Sequence, residues 1–99
     1  MSCAAPAGGV SVEGVDAGKE AIIQGIVTTG GRPVGGAYVR LLDRTGEFTA
    51  EVPTGDAGEF RFFAAPGQWT LRALAPGAEA VDRGVDAAIG EVAEADIAV

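Results

Sequence analysis

TGDAGEFRFFAAPGQWTLRALAPG, residues 54–77, decides the fold class. Phe60 and Phe62 alternate with Arg61, and Trp69, Leu71 and Ala73 alternate with Thr70 and Arg72. A side-chain period of two marks a strand with one face buried and the other in water. Between the two runs stands Ala65-Pro66-Gly67, and before the first stands Thr54-Gly55-Asp56-Ala57-Gly58, both dense in turn formers. The segment predicts strands over 60–64 and 68–74, with Phe60, Phe62, Trp69 and Leu71 turned inward and Arg61 and Arg72 outward.

The same device extends in both directions. Toward the N-terminus, AIIQGIV (Ala21–Val27) reads as a strand and TTGGRPVGG (Thr28–Gly36) as a turn cluster. AYVRLLD (Ala37–Asp43) alternates Val39 and Leu41 against Tyr38 and Arg40, and EFTAEV (Glu47–Val52) alternates Phe48, Ala50 and Val52 against Thr49 and Glu51. Toward the C-terminus, weaker strands follow over 81–87 and 92–99, the latter with Ala93, Ala95, Ile97 and Val99 on one face. Seven short strands at roughly ten-residue spacing predict an all-β, seven-stranded antiparallel β-sandwich. Its expected core is Val27, Val39, Leu41, Phe48, Phe60, Phe62, Trp69, Leu71 and Ile97. Residues 1–20, rich in Gly, Ala, Ser and Pro without an apolar period, predict a flexible arm ahead of a single domain over 21–99.

Composition narrows the partners. The 99 residues carry 14 acidic and 7 basic side chains, a net charge of −7. Such a surface repels phosphate backbones and anionic lipid, so neither nucleic acid nor membrane is an expected partner. No stretch of about 18 apolar residues exists to span a bilayer. The first residues lack the basic-then-apolar pattern of a secretory signal, so the cytoplasm is the expected compartment.

Three segments carry a resemblance: GIVTTGGRPVGGAYVRL (Gly25–Leu41), TGDAGEFRF (Thr54–Phe62) and PGQWTLRALAPG (Pro66–Gly77). Together they resemble the prealbumin-like, or carboxypeptidase regulatory-like and transthyretin-like, β-sandwich. More narrowly, YVRLLDRTGEFTAEVPT and GEFRFFAAPGQWTLRALAPG resemble the SseC-like actinobacterial family of uncharacterised proteins, whose genes typically lie beside a thiosulfate sulfurtransferase. A cysteine near the start is usual in that family, and here that residue is Cys3. The resemblance implies an accessory protein of sulfur metabolism that docks on a sulfurtransferase and carries sulfane sulfur on Cys3.

The residues themselves offer little catalytic chemistry. The chain has no histidine, which removes the usual general base and every Ser–His or Cys–His arrangement. One cysteine supplies neither a disulfide framework nor a zinc, copper or iron–sulfur cluster, so no metal and no cofactor are expected. GGRPVGG lacks the Gly-Lys-Ser/Thr ending of a phosphate loop. These features predict a non-enzymatic protein.

The nearest basic side chain in sequence to Cys3 is Lys19, so no neighbouring side chain favours its thiolate, and only the α-ammonium left by removal of Met1 would do so modestly. On the residues alone it is either an incidental tail thiol or a handle that a partner must activate. Arg40, Arg61 and Arg72 form the other constellation, each outward between inward neighbours. If their strands adjoin, they build a guanidinium ladder near Glu51, rimmed by the outward aromatics Tyr38 and Phe63. That ladder is either a set of cross-strand salt bridges or a docking face for an acidic partner or small anion. Two alternatives to a sulfur-handling role therefore stand: a structural or protein-interaction module with an incidental Cys3, and a small-anion or carbohydrate-binding module.

Overall fold

The computed structural model describes residues 20–99. The expected sulfur carrier Cys3, with residues 1–19 of the expected arm, lies outside the described residues. Those described form nine strands and no helix: β1 (Ala21–Thr29), β2 (Arg32–Pro33), β3 (Tyr38–Leu42), β4 (Phe48–Pro53), β5 (Glu59–Ala64), β6 (Gly67–Leu74), β7 (Val81–Ala87), β8 (Val92–Glu94) and β9 (Ile97–Ala98). They make two sheets packed face to face, the all-β sandwich that the alternation predicts. All seven expected strands are present. The last is split into β8 and β9, and the turn cluster contributes β2 as an addition.

The four-stranded sheet is antiparallel throughout, in the order β4-β3-β6-β7. The five-stranded sheet is built on β1, which pairs antiparallel with β5 and, through a two-residue hairpin, with β2. Gly30 and Gly31 make that hairpin with φ of 56° and 82°, the positive pair that a type I′ turn requires. β8 and β9 run parallel to β1 along its other edge, a departure from all-antiparallel pairing. The chain leaves β7 in one sheet, crosses to the other, and returns in the direction of β1.

The split between β8 and β9 has a local cause. Ala95 is buried, its N–H donates to Gln24 O at 2.8 Å, and its carbonyl occupies the space that a side chain on residue 25 would fill. Gly25 therefore lets the C-terminal strand dip into the core. Asp96 completes the ladder beyond the dip, because its Oδ1 accepts the Ile26 N–H at 3.0 Å. Arg83 on β7 donates to Asp96 O and fastens the four-stranded sheet to the same turn.

The core joins Ile23 and Val27 of β1, Val39 and Leu41 of β3, Phe60 and Phe62 of β5, Leu71 and Ala73 of β6, and Ala95 and Ile97 at the C-terminus. Two expected core members differ. Trp69 is only partly buried at the end of the sandwich, where its indole N–H donates to Ala65 O at 2.9 Å. Phe48 is 61% exposed. Val39, Arg40 and Leu41 face Val52, Glu51 and Ala50, but Leu42 faces Phe48. Thr49 is thus the extra residue of a β-bulge, and one extra residue moves everything beyond it to the opposite face.

Thr54 is the one buried polar side chain among the described residues. Its hydroxyl donates to Val34 O at 2.6 Å and accepts from Ala37 N at 3.0 Å, tying the connection after β2 to the end of β4. Thr54→Val keeps the shape but strands the buried Ala37 N–H and the partly buried Val34 carbonyl, and should cost about 1–3 kcal/mol in urea unfolding. Two glycine substitutions test the β1 packing. A Cβ at Gly25 meets Ala95 backbone and Phe60 Cζ, whereas one at Gly84 meets nothing within 4 Å. Gly25→Ala should therefore lower stability by about 1–3 kcal/mol, and Gly84→Ala should leave it unchanged or slightly raised.

Candidate interaction surface

The outward positions of the four-stranded sheet fall into rows across its strands. Glu51, Arg40, Arg72 and Asp82 are consecutive register partners across β4, β3, β6 and β7. Each arginine takes the carboxylate on its own outer side. Arg40 Nε lies 2.7 Å from Glu51 Oε2, and Arg72 grips Asp82 with Nε to Oδ1 at 2.8 Å and Nη2 to Oδ2 at 3.0 Å. The row reads negative, positive, positive, negative, so two like charges adjoin at its centre while each is held by an opposite charge.

Aromatic and apolar groups flank this row. Tyr38 on β3 is 49% exposed, and the Arg40 guanidinium lies 6.0 Å from the centroid of the Phe48 ring. The bulge that removes Phe48 from the core thus delivers it to the arginine face. Leu42 shares this face by its pairing with Phe48 and Thr70, yet is buried. Next to it, Gly84 opens a groove lined by Arg44, Gln68, Thr70 and Asp86.

Arg61 and Phe63 do not join this surface, as the expected three-rung ladder requires. Both sit on β5 in the other sheet. Arg61 Nε donates to Gln24 Oε1 at 2.9 Å, and Gln24 Nε2 donates to Glu94 Oε2 at 2.7 Å, a second polar row across β5, β1 and β8. Phe63 pairs across with Ile22. Alternation identifies each residue's face within its strand, but sheet membership depends on crossovers that alternation does not encode. The role of Asp82 as the partner of Arg72 was visible only as an outward acid at the start of a weak strand.

Charge also organises the turns. Asp43 Oδ1 accepts from Thr45 N, Thr45 Oγ1 and Glu47 N at 2.9, 2.6 and 3.0 Å, closing the β3–β4 connection. The Thr45 hydroxyl, followed by the Glu47 amide, holds the Asp43 carboxyl below its ordinary value of 3.8. The hydrogen bond from Arg72 does the same for Asp82, and the Arg72 charge adds to it. Among the described residues no three Cys, Asp or Glu side chains converge as a metal-ion site, and no helix is long and apolar enough to cross a membrane.

The family model for a protein of unknown function, DUF1416, matches residues 3–99. The chain belongs to the DUF1416 family. Two proteins of Mycobacterium tuberculosis H37Rv, the uncharacterized proteins Rv0814c and Rv3118, are each 57% identical over 74 residues, covering 73% of this chain and 74% of each relative. An uncharacterized protein of Mycolicibacterium smegmatis is 63% identical over 62 residues, covering 62% of this chain and 69% of that one. Among solved structures, this DUF1416 chain is similar to catechol 1,2-dioxygenase from Pseudomonas arvilla C-1, with a TM-score of 0.67 and 15% identity. That similarity covers 99% of this chain but spans 58% of the enzyme's chain. The dioxygenase domain of a dioxygenase–carbohydrate-binding fusion from Streptomyces sp. SirexAA-E superposes with a TM-score of 0.62 and 16% identity, covering 100% of this chain and 91% of that one. At these identities the likeness is one of fold: a β-sandwich that dioxygenase domains share.

The depressed carboxyls fix the direction of the acid response. A group whose folded pKa lies below its unfolded value stabilises the fold above the unfolded value, and the benefit is lost as pH falls through the folded one. Stability should therefore decline as pH is lowered through and below the ordinary carboxylate value of 3.8. Asp82→Asn should be less stable than wild type at neutral pH and show a shallower acid decline, read by urea unfolding across that range. An unchanged slope would mean that the Arg72–Asp82 pair contributes nothing.

Proposed function

We propose that this DUF1416 chain is a non-enzymatic protein-interaction module whose docking face is the outer face of the four-stranded sheet. The observation that carries this reading is the cluster of Tyr38, Arg40, Phe48 and Arg72 on one exposed face. Arginine and aromatic side chains are enriched where protein interfaces concentrate their binding energy. A rigid sheet presents them at no ordering cost to the backbone. Because each arginine is already held by a carboxylate, the face suits a partner's polar and aromatic groups better than a free anion.

The resemblance to the SseC-like family supplies the partner class, a thiosulfate sulfurtransferase, and a task for Cys3 in the cytoplasm. In that task the Cys3 thiolate attacks the outer sulfur of the enzyme's cysteine persulfide. The enzyme's S–S bond breaks, its cysteine leaves as thiolate, and Cys3 keeps the sulfane sulfur as a new persulfide. The chain has no histidine to activate this thiol, and that step falls to the partner's active site.

Calorimetric titration of the full chain with a purified thiosulfate sulfurtransferase tests the docking face. Tyr38→Ala and Arg40→Ala should each weaken binding about tenfold or more while leaving the melting temperature nearly unchanged. Mass spectrometry after incubation with the enzyme and thiosulfate tests the sulfur task. The gain of one sulfur atom on wild type but not on Cys3→Ser supports it; gain on both, or on neither, removes it and leaves a module without sulfur chemistry.

A further inference from the structure

A sandwich of two open sheets has four edges, and an unpaired edge invites pairing with another chain. Three edges here are managed. β4 carries the Thr49 bulge, Glu51 and Pro53, each a known deterrent to pairing. β7 and the β8–β9 edge lie against one another, fastened by Arg83 on Asp96 O. The fourth edge is β5, with the sequence Glu59-Phe-Arg-Phe-Phe-Ala64, and it has no proline, lysine or bulge.

The hydrogen-bond phase of β5 follows from its neighbour. Val27 N donates to Gly58 O between directly opposed residues, so Gly58, Phe60, Phe62 and Ala64 turn their backbone groups toward β1. The intervening residues of β1 turn theirs the other way. Ile22 N donates to Glu91 O, Gln24 O accepts from Ala95 N, and Ile26 N donates to Asp96 Oδ1. By the same alternation, Arg61 and Phe63 direct their N–H and C=O groups away from β1. Glu59 is also in this phase, but its carbonyl is taken by Gly55 N and its carboxylate accepts the Ala57 N–H. Among the described residues no hydrogen bond off the β1 ladder reaches the backbone of Arg61 or Phe63.

We propose that β5 is a self-pairing edge, and that two copies of this chain associate antiparallel about a two-fold axis at Phe62. The spacing of the open groups selects this occupant and this register. Arg61 and Phe63 are two residues apart, so a two-fold at Phe62 sets Arg61 opposite Phe63 of the second copy, and the reverse. Four hydrogen bonds then satisfy all four open groups on each copy. The register also sets each Arg61 guanidinium beside a Phe63 ring on the outer face, a favourable cross-strand contact. A shift of two residues in one direction sets Arg61 against Arg61 and Phe63 against the occupied Glu59, and a shift of two in the other sets Arg61 against Ala65, whose carbonyl already accepts the Trp69 indole N–H. The net charge of −7 on each copy opposes association, so the dimer strengthens as salt screens that repulsion. This surface lies on the opposite sheet from the proposed docking face, and the two do not compete.

The test is sedimentation equilibrium of the full chain from micromolar to millimolar concentration, with amide hydrogen exchange at both ends. The expected result is a doubling of mass at high concentration, promoted by salt. The Arg61 and Phe63 amides should be exchange-labile when dilute and protected when concentrated. Arg61→Pro removes an outward N–H without touching the β1 ladder and should abolish the doubling. Phe63→Lys places a charge at the edge and should do the same if the proline variant fails to fold. A monomer at every concentration overturns the proposal. So does a dimer in which these two amides stay labile, because it uses another surface. Amides protected at every dilution also overturn it, because the edge is then covered within one chain.

Discussion

The absence of a side chain at position 25 is the constraint on which this sandwich rests. Among the described residues β1 is the only strand that pairs on both edges in the five-stranded sheet, with β5 on one side and β8 and β9 on the other. At its midpoint the Ala95 carbonyl and the Phe60 ring converge on the place where a Cβ would stand. That approach lets the C-terminal strand bend into the core between β8 and β9, bury Ala95 and Ile97, and leave the Asp96 carboxylate to serve Ile26. A glycine inside a strand gives up packing and adds backbone entropy to the unfolded chain. Here it is offset by closure of a hydrophobic interior that a chain of this size needs in full.

Closure on that side decides what the outer faces look like. β7 is drawn against the C-terminal segment by Arg83, which leaves β4 and β5 as the edges at the opposite side. The four-stranded sheet then exposes a charge row that is neutral as a unit on a protein of net charge −7. The five-stranded sheet exposes a second row, Arg61, Gln24 and Glu94, linked through one amide. Exposed pairs of this kind contribute little stability individually. Their larger effect is to fix side-chain geometry on a rigid surface, and only the first row has exposed aromatic neighbours at Tyr38 and Phe48.

Most of the fold was legible because period-two alternation and turn chemistry are local. The strands over 21–27, 37–43, 47–52, 60–64, 68–74 and 81–87 all appear within a residue or two of their expected limits. The errors share one physical origin. Phe48 was expected in the core because its parity with Ala50 and Val52 holds along an unbroken strand, and the Thr49 bulge breaks it. Arg61 and Phe63 were grouped with Arg40, Arg72 and Tyr38 because all are outward, although outward from two different sheets. The Arg40–Arg72 adjacency and the Arg40–Glu51 pair survive because β3 is the common neighbour of β4 and β6.

By itself the sequence determined the class of fold, the strand limits, which residues are outward within each regular strand, and the absence of histidine chemistry, since all follow from residue type and spacing along the chain. The tertiary structure alone decided which outward residues share a face, which carboxylate each arginine takes, the parallel return of the last strand beside β1, and which backbone groups of β5 turn away from β1. Those depend on register and crossover, which are set when strands distant in sequence pack together. The Thr49 bulge and the close approach at Gly25 are settled there too, because each is a fit between two strands rather than a preference of one.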